Sequence, residues 1–112
     1  MRELPADAEE NAASEAGLIE VYAVLSCEAV PAGHPAHDYF AGRFTRTIEH
    51  FAELFRLAQR DGDLPSHRDP EQEAVWLVAL WDGLQYRWLY DRDAVDVAAH
   101  LRAHLDDVLP RL

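Results

Sequence analysis

The chain has 112 residues, a length that suits one domain spanning residues 1–112, and 49% of them are hydrophobic. Its charge is strongly acidic, because 21 Asp and Glu residues face 10 arginines and no lysine, for a net charge of −11. Nucleic acids and anionic lipid surfaces attract basic proteins, so the composition argues against DNA, RNA and membranes as direct partners. A single cysteine, Cys27, excludes an internal disulfide. The longest apolar run, 74–81, is too short to span a bilayer, and no signal peptide is evident, so we expect a cytoplasmic protein.

The first predicted helix covers about residues 6–30. Asp7, followed three residues later by Glu10, predicts a capping box at its start. Gly17 suggests a break between a polar, alanine-rich leading helix and a second, apolar one. Beyond Gly17 almost all residues are apolar, so we expect this part of the helix to be covered on most sides.

The second predicted helix covers about residues 35–60, beginning near Pro35. Gly62 is the expected C-cap position, and Pro65 prevents the helix from continuing. The apolar residues repeat at steps of three or four, which predicts one buried stripe, consisting of Phe40, Phe44, Ile48, Phe51, Phe55 and Ala58.

The third and fourth predicted helices have clear start signals. Asp69 as N-cap and Pro70 in the first turn predict a helix that runs to about Tyr90. A fourth helix is expected from near Asp93 to just before Pro110. No segment alternates apolar and polar residues long enough to indicate a strand, so the predicted class is all-α, an antiparallel bundle of four to five helices.

The third predicted helix is apolar on two faces. One face, which we expect to be buried within the chain, consists of Ala74, Leu77, Val78, Trp81, Leu84 and Trp88. The second face requires a partner, because large exposed apolar patches usually mark interfaces. Gly83 on that face would let two helices approach closely, and a symmetric homodimer is the default assembly. The predicted dimer interface consists of Trp76, Ala79, Leu80, Gly83, Arg87 and Tyr90, together with His100 and His104 of the fourth helix.

Two histidine pairs are the strongest candidates for metal chemistry. His34 and His37 lie three residues apart, but nothing close in sequence supplies a convincing third ligand, so we expect local hydrogen bonding instead. His100 and His104 share a helix face but lack the order of a metalloprotease motif, which favours an exposed or dimer-facing stripe. Protonation of these two could weaken a dimer near pH 6. No nucleophile elbow, phosphate loop or activated thiol is present, so we expect no enzyme, no catalytic residue, no metal and no cofactor.

Three segments of the chain follow one another in a distinctive order and spacing: residues 17–29, His34-Pro35-Ala36-His37-Asp38-Tyr39-Phe40 and residues 69–89. In this order and spacing the chain resembles the effector domain of tetracycline-repressor (TetR) family regulators, over about residues 14–110. The resemblance implies a C-terminal all-α domain that forms a homodimer through its last two long helices and binds a small-molecule effector. DNA contact in that family requires an N-terminal helix-turn-helix, which we do not expect within these residues, and residues 1–14 would be the end of a connecting helix or disordered.

The resemblance also implies an effector pocket between the first three helices. The aromatic content suggests a lipophilic or aromatic ligand, and a pocket in a helical bundle is the usual small-molecule site. The candidate lining residues are Tyr22, Ser26, Tyr39, Phe40, Phe44, Phe51 and Trp81. Two alternatives stay open at this point: a structural or protein-interaction module that binds no ligand, and a metal-dependent enzyme built on the histidines.

Overall fold

The computed structural model of the protein describes the backbone of residues 4–112 and the side chains of residues 15–112. Within the described chain there are four α-helices and no strand: α1 (Leu4–Glu28), α2 (His37–Arg60), α3 (Pro70–Tyr90) and α4 (Val97–Val108). The predicted all-α class is therefore confirmed. The chain divides into two compact units, Met1–Phe40 and Ala41–Leu112, with the division inside α2. None of the described helices combines the length and the apolar character that crossing a membrane requires.

Helix α1 differs from the prediction at its start and at Gly17. It is already helical at Leu4, so Asp7 does not cap its start; the side chains of Asp7 and Glu10 lie outside the described part. It also continues through Gly17 without interruption, so the predicted break is wrong. A single glycine inside a helix costs only about 1 kcal/mol, and the helix-favouring residues on both sides outweigh that penalty.

The apolar part of α1 is more exposed than predicted. Leu18 and Val21 are 68% and 64% exposed, and Val24 and Leu25 are also accessible. The expectation that this helix is covered on most sides is therefore wrong for the single chain. Its apolar residues occupy more of the helix circumference than packing within one chain covers.

The core of the second unit is built from α2, α3, α4 and the loop between α2 and α3. Helices α3 and α4 pack against each other, and Leu64 of the loop is 1% exposed. The core cluster consists of Ala52, Phe55, Leu64, Ala74, Leu77 and Val108, and Ile48, Phe51, Ala58, Leu101, Leu105 and Leu109 pack against it. Apolar burial of this kind is the main favourable contribution to folding.

The end of α2 is fixed by a Schellman motif. Gly62 has a φ of 85°, its N–H donates to the carbonyl of Gln59, and the N–H of Asp63 donates to the carbonyl of Ala58. The predicted C-cap role of Gly62 is confirmed. The side-chain amide of Gln59 then donates to the carbonyls of Pro65 (3.0 Å) and Arg68 (2.8 Å), which fixes the loop to the end of the helix.

Helices α3 and α4 both begin at a capping aspartate. Asp69 accepts the N–H of Glu71 at 3.0 Å, which confirms the predicted start of α3. Asp96 accepts the N–H of Ala99 at 3.0 Å, so α4 begins at Val97, later than predicted. The earlier start near Asp93 is wrong because the carboxylate of Asp91 accepts the N–H of Asp93 and forms a turn there.

Candidate functional site

The first group of predicted ligand residues lies in the unit Met1–Phe40. Phe40 is 5% exposed and meets two tyrosines edge-to-face, with ring centroids 5.1 Å from Tyr22 and 5.1 Å from Tyr39. These geometries are typical of favourable aromatic pairs. The hydroxyl of Ser26 donates to the carbonyl of Ala23 at 2.9 Å, so its proton is used within α1. Three of the four predicted residues in this unit thus form one aromatic group.

The second group lies in the unit Ala41–Leu112. The rings of Phe51 and Trp81 are 6.2 Å apart, and Phe51 packs against the core. Trp81 is 38% exposed, although the sequence placed it on the buried face of α3; Leu84 and Trp88 of that face are half-buried, whereas Ala74, Leu77 and Val78 are buried. Phe44 is 39% exposed. The accessible faces of Trp81 and Phe44 therefore provide apolar surface that a ligand can cover.

A charged group next to Trp81 was not among the predicted site residues. Partial burial raises the pKa of the Asp82 carboxyl above its ordinary value, and the positive charge of Arg43 on α2 opposes that rise. Desolvation is the larger of the two effects. The signal in the sequence was the position of Asp82 at the end of the apolar run 74–81.

The predicted dimer residues of α3 lie on an accessible face. Trp76 is 47% exposed and Tyr90 is 81% exposed. Ala79, Gly83 and Arg87 are also exposed, and Leu80 is half-buried. A Cβ atom added at Gly83 would meet no atom of the described residues within 4 Å, apart from its chain neighbours and the adjoining backbone of α3. Nothing inside the described chain therefore requires glycine at this position.

The two predicted dimer histidines of α4 differ in accessibility. His100 is exposed, whereas His104 is half-buried. The Nε2 atom of His104 is buried and has no hydrogen-bond partner among the described residues.

The histidines before α2 make local hydrogen bonds. A ring nitrogen of His37 lies 3.0 Å from the carbonyl oxygen of Ala29, as the local alternative predicted. The Nδ1 atom of His34 accepts the N–H of Ala36 at 3.1 Å. Within residues whose side chains are described, no three His, Cys, Asp or Glu residues are grouped so that they could hold a metal ion.

A polar cluster at the base of α3 was missed by the sequence reasoning. Glu73 is 1% exposed, and its carboxylate accepts from the guanidinium of Arg68 at 3.3 and 3.4 Å. The same guanidinium lies 3.7 Å from the carboxylate of Asp107 on α4. An acidic residue in the first turn of a helix is favourable there even when it faces solvent. The sequence alone therefore gave no sign that Glu73 is buried and paired with Arg68 of the loop.

One comparison with known proteins, that with protein families, agrees with the resemblance. The family described as "BetI-type transcriptional repressor, C-terminal" matches residues 4–111, nearly the whole chain. A search of curated proteins and a search of solved structures each found no match. With this match, and with four helices in the part that the structure describes, the chain belongs to the family of BetI-type transcriptional repressor C-terminal domains, within the TetR regulators.

Proposed function

We propose that this chain is the effector-sensing and homodimerisation domain of a transcriptional repressor. The observation that carries the proposal is the accessible face of α3, in a chain whose family is that of repressor C-terminal domains. The role is regulatory rather than catalytic. DNA is read by a helix-turn-helix domain of the repressor and not by this acidic chain, and the site of action is the cytoplasm, where repressors meet DNA.

The homodimer is supported by the apolar side chains that α3 leaves uncovered. Trp76, Tyr86 and Tyr90 are 47%, 51% and 81% exposed, and all three lie on one side of the helix. Contiguous exposed aromatic surface is typical of interfaces, and two-fold symmetry is the commonest closed arrangement. His100 and His104 of the packed neighbour α4 extend the proposed interface.

Sedimentation or light scattering of Trp76→Arg tests the dimer. Leu54→Arg is the matched control, because Leu54 is 48% exposed, nearly the same as Trp76, but belongs to α2, which is not part of the proposed interface. We expect a dimer for the wild type and for Leu54→Arg, and a weakened dimer for Trp76→Arg. A wild-type monomer at micromolar concentration contradicts the proposal.

The effector is proposed to be small and lipophilic or aromatic. The support comes from each unit considered by itself. In the first, the rings of Tyr22, Tyr39 and Phe40 form one group, and Ser26 is a polar residue of α1. In the second, the rings of Phe51 and Trp81 are neighbours, and Phe44 is 39% exposed. Aromatic faces bind flat apolar ligands through area burial and edge-to-face contacts.

A thermal-shift screen with planar aromatic and aliphatic compounds tests effector binding. A ligand that binds only the folded state raises Tm, by an amount equivalent to about 2.7 kcal/mol at one hundred times its Kd. We expect Trp81→Ala to abolish the shift produced by a hit, and Trp88→Ala, a tryptophan stacked under Arg92, to retain it. A wild-type Tm that no compound raises supports the ligand-free structural module instead.

A further inference from the structure

We propose that α3 crosses the α3 of a second copy at Gly83, in antiparallel orientation, so that Trp76 of each chain meets Tyr90 of the other. This inference rests on the proposed homodimer and specifies its register. It starts from the position of Gly83, seven residues from Trp76 and seven from Tyr90. Seven residues are almost two helical turns, so all three lie on one side of α3, at spacings of about 10 Å.

The face of α3 centred on Gly83 is exposed in the described part of the chain. At 3.6 residues per turn, the residues within about 40° of Gly83 around the helix axis form one continuous stripe. Every member of this stripe is exposed: Gln72, Trp76, Ala79, Gly83, Arg87 and Tyr90. The accessible stripe is therefore as long as the helix itself.

The sizes of the side chains along this stripe fit a helix crossing. Two helices that cross at an angle are closest at one point and separate on both sides of it. Gly83 and Ala79 are small where the approach is closest, and Trp76 and Tyr90 are large where the gap widens. A two-fold contact requires a self-complementary surface, and a small centre between two large ends meets that requirement.

Arg87 decides between the two possible orientations. In a parallel two-fold crossing at Gly83, Arg87 would face the same arginine of the second copy about 6 Å from the crossing, where like charges repel. In the antiparallel crossing, Arg87 faces Ala79 of the second copy, and the aromatic ends pair as Trp76 with Tyr90. The second copy is thus the occupant that fits both the shape and the charge of this face.

Disulfide trapping tests the register in a Cys27→Ser background, since Cys27 is exposed and would form disulfides of its own. Gly83→Cys places two identical thiols beside the two-fold axis, within the short Cα separation that a disulfide needs. We expect it to crosslink almost completely under mild oxidation, and Asp82→Cys, one residue away and about 100° around the helix, to remain uncrosslinked. A dimer in which Gly83→Cys does not crosslink overturns the register but leaves the homodimer intact, whereas a monomer overturns both.

Mixing two variants tests the orientation. Ala79→Cys and Arg87→Cys both replace exposed residues, so neither change disturbs the core. We expect crosslinked dimer when the two variants are mixed and almost none when either is oxidised alone. Crosslinking of Arg87→Cys with itself would show a parallel crossing and overturn the proposal.

Discussion

Removal of Arg68 should destabilise the protein far more than its position in a surface loop suggests. The side chain of Arg68 is 25% exposed, but that of its partner Glu73 is 2% exposed, so Arg68→Ala leaves a carboxylate in the interior without its counter-charge. Breaking a buried ion pair from one side costs about 3–5 kcal/mol. We take the lower end, about 3 kcal/mol, because the partly exposed arginine leaves a path for water to reach the site.

Urea unfolding followed by tryptophan fluorescence measures this loss, at one protein concentration because a dimer's stability depends on it. A second change, Glu73→Leu in the Arg68→Ala chain, removes the unpaired charge, and we expect it to recover at least half of the loss. The control is Arg60→Ala, since Arg60 and its partner Glu53 are 65% and 54% exposed. It should change the free energy of unfolding by less than about 0.5 kcal/mol. An Arg68→Ala chain within about 1 kcal/mol of the wild type, or one that Glu73→Leu fails to rescue, would refute the reasoning.

Three further predictions concern the helix ends and Asp82. Asp69→Ala should lower the free energy of unfolding by about 1 kcal/mol, measured by urea titration, because the N–H of Glu71 loses its acceptor; an unchanged midpoint would contradict the cap. Gly62→Ala should cost about 1 kcal/mol by the same titration, because alanine is strained at a φ of 85°, whereas Gly33→Ala, with open space around it, is the control. Asp82→Asn should gain stability relative to the wild type as pH rises above the ordinary carboxyl pKa of 3.8. The Asp82 carboxyl has a raised pKa in the folded state, so its ionisation lowers the wild type's free energy of unfolding, and asparagine does not ionise. Thermal unfolding from pH 3 to 7 checks this, and a stability difference that stays constant over that range would contradict it.

The helix boundaries that the sequence predicted well are those set by neighbouring residues. Asp69 precedes Pro70, and Gly62 follows α2, so the signal and the structure lie within a few residues of each other. The start of α4 was misplaced because Asp93 and Asp96 are both suitable caps, and only the turn formed by Asp91 decides between them. The sequence therefore predicts the residues at which a helix can begin. The hydrogen bonds of the neighbouring turn decide at which of them it does begin.

Side-chain placement was predictable only where periodicity alone determines it. Helical spacing places Trp76, Gly83 and Tyr90 on one side of α3, and all three are exposed in the structure. The burial of Glu73 follows instead from a loop arginine that approaches from outside α3, which no periodic pattern encodes. Periodicity also fails for Trp81, which lies one helical turn after the buried Leu77 and is nevertheless 38% exposed.

The uneven burial along α3 has a consequence for its motions. Glu73, Ala74, Leu77 and Val78 are buried in the first half, whereas residues 81–90 of the same helix are exposed or half-buried. In the single chain, amide protons of the first half should therefore exchange with solvent only in large-scale unfolding, and those of the second half in smaller local openings that a second copy would suppress. A molecule that contacts the second half can then suppress these openings and lower the chain's conformational entropy without moving the anchored half. Helix α3 would in this way respond to binding by reduced local opening of its second half, without a shift in the position of its first half.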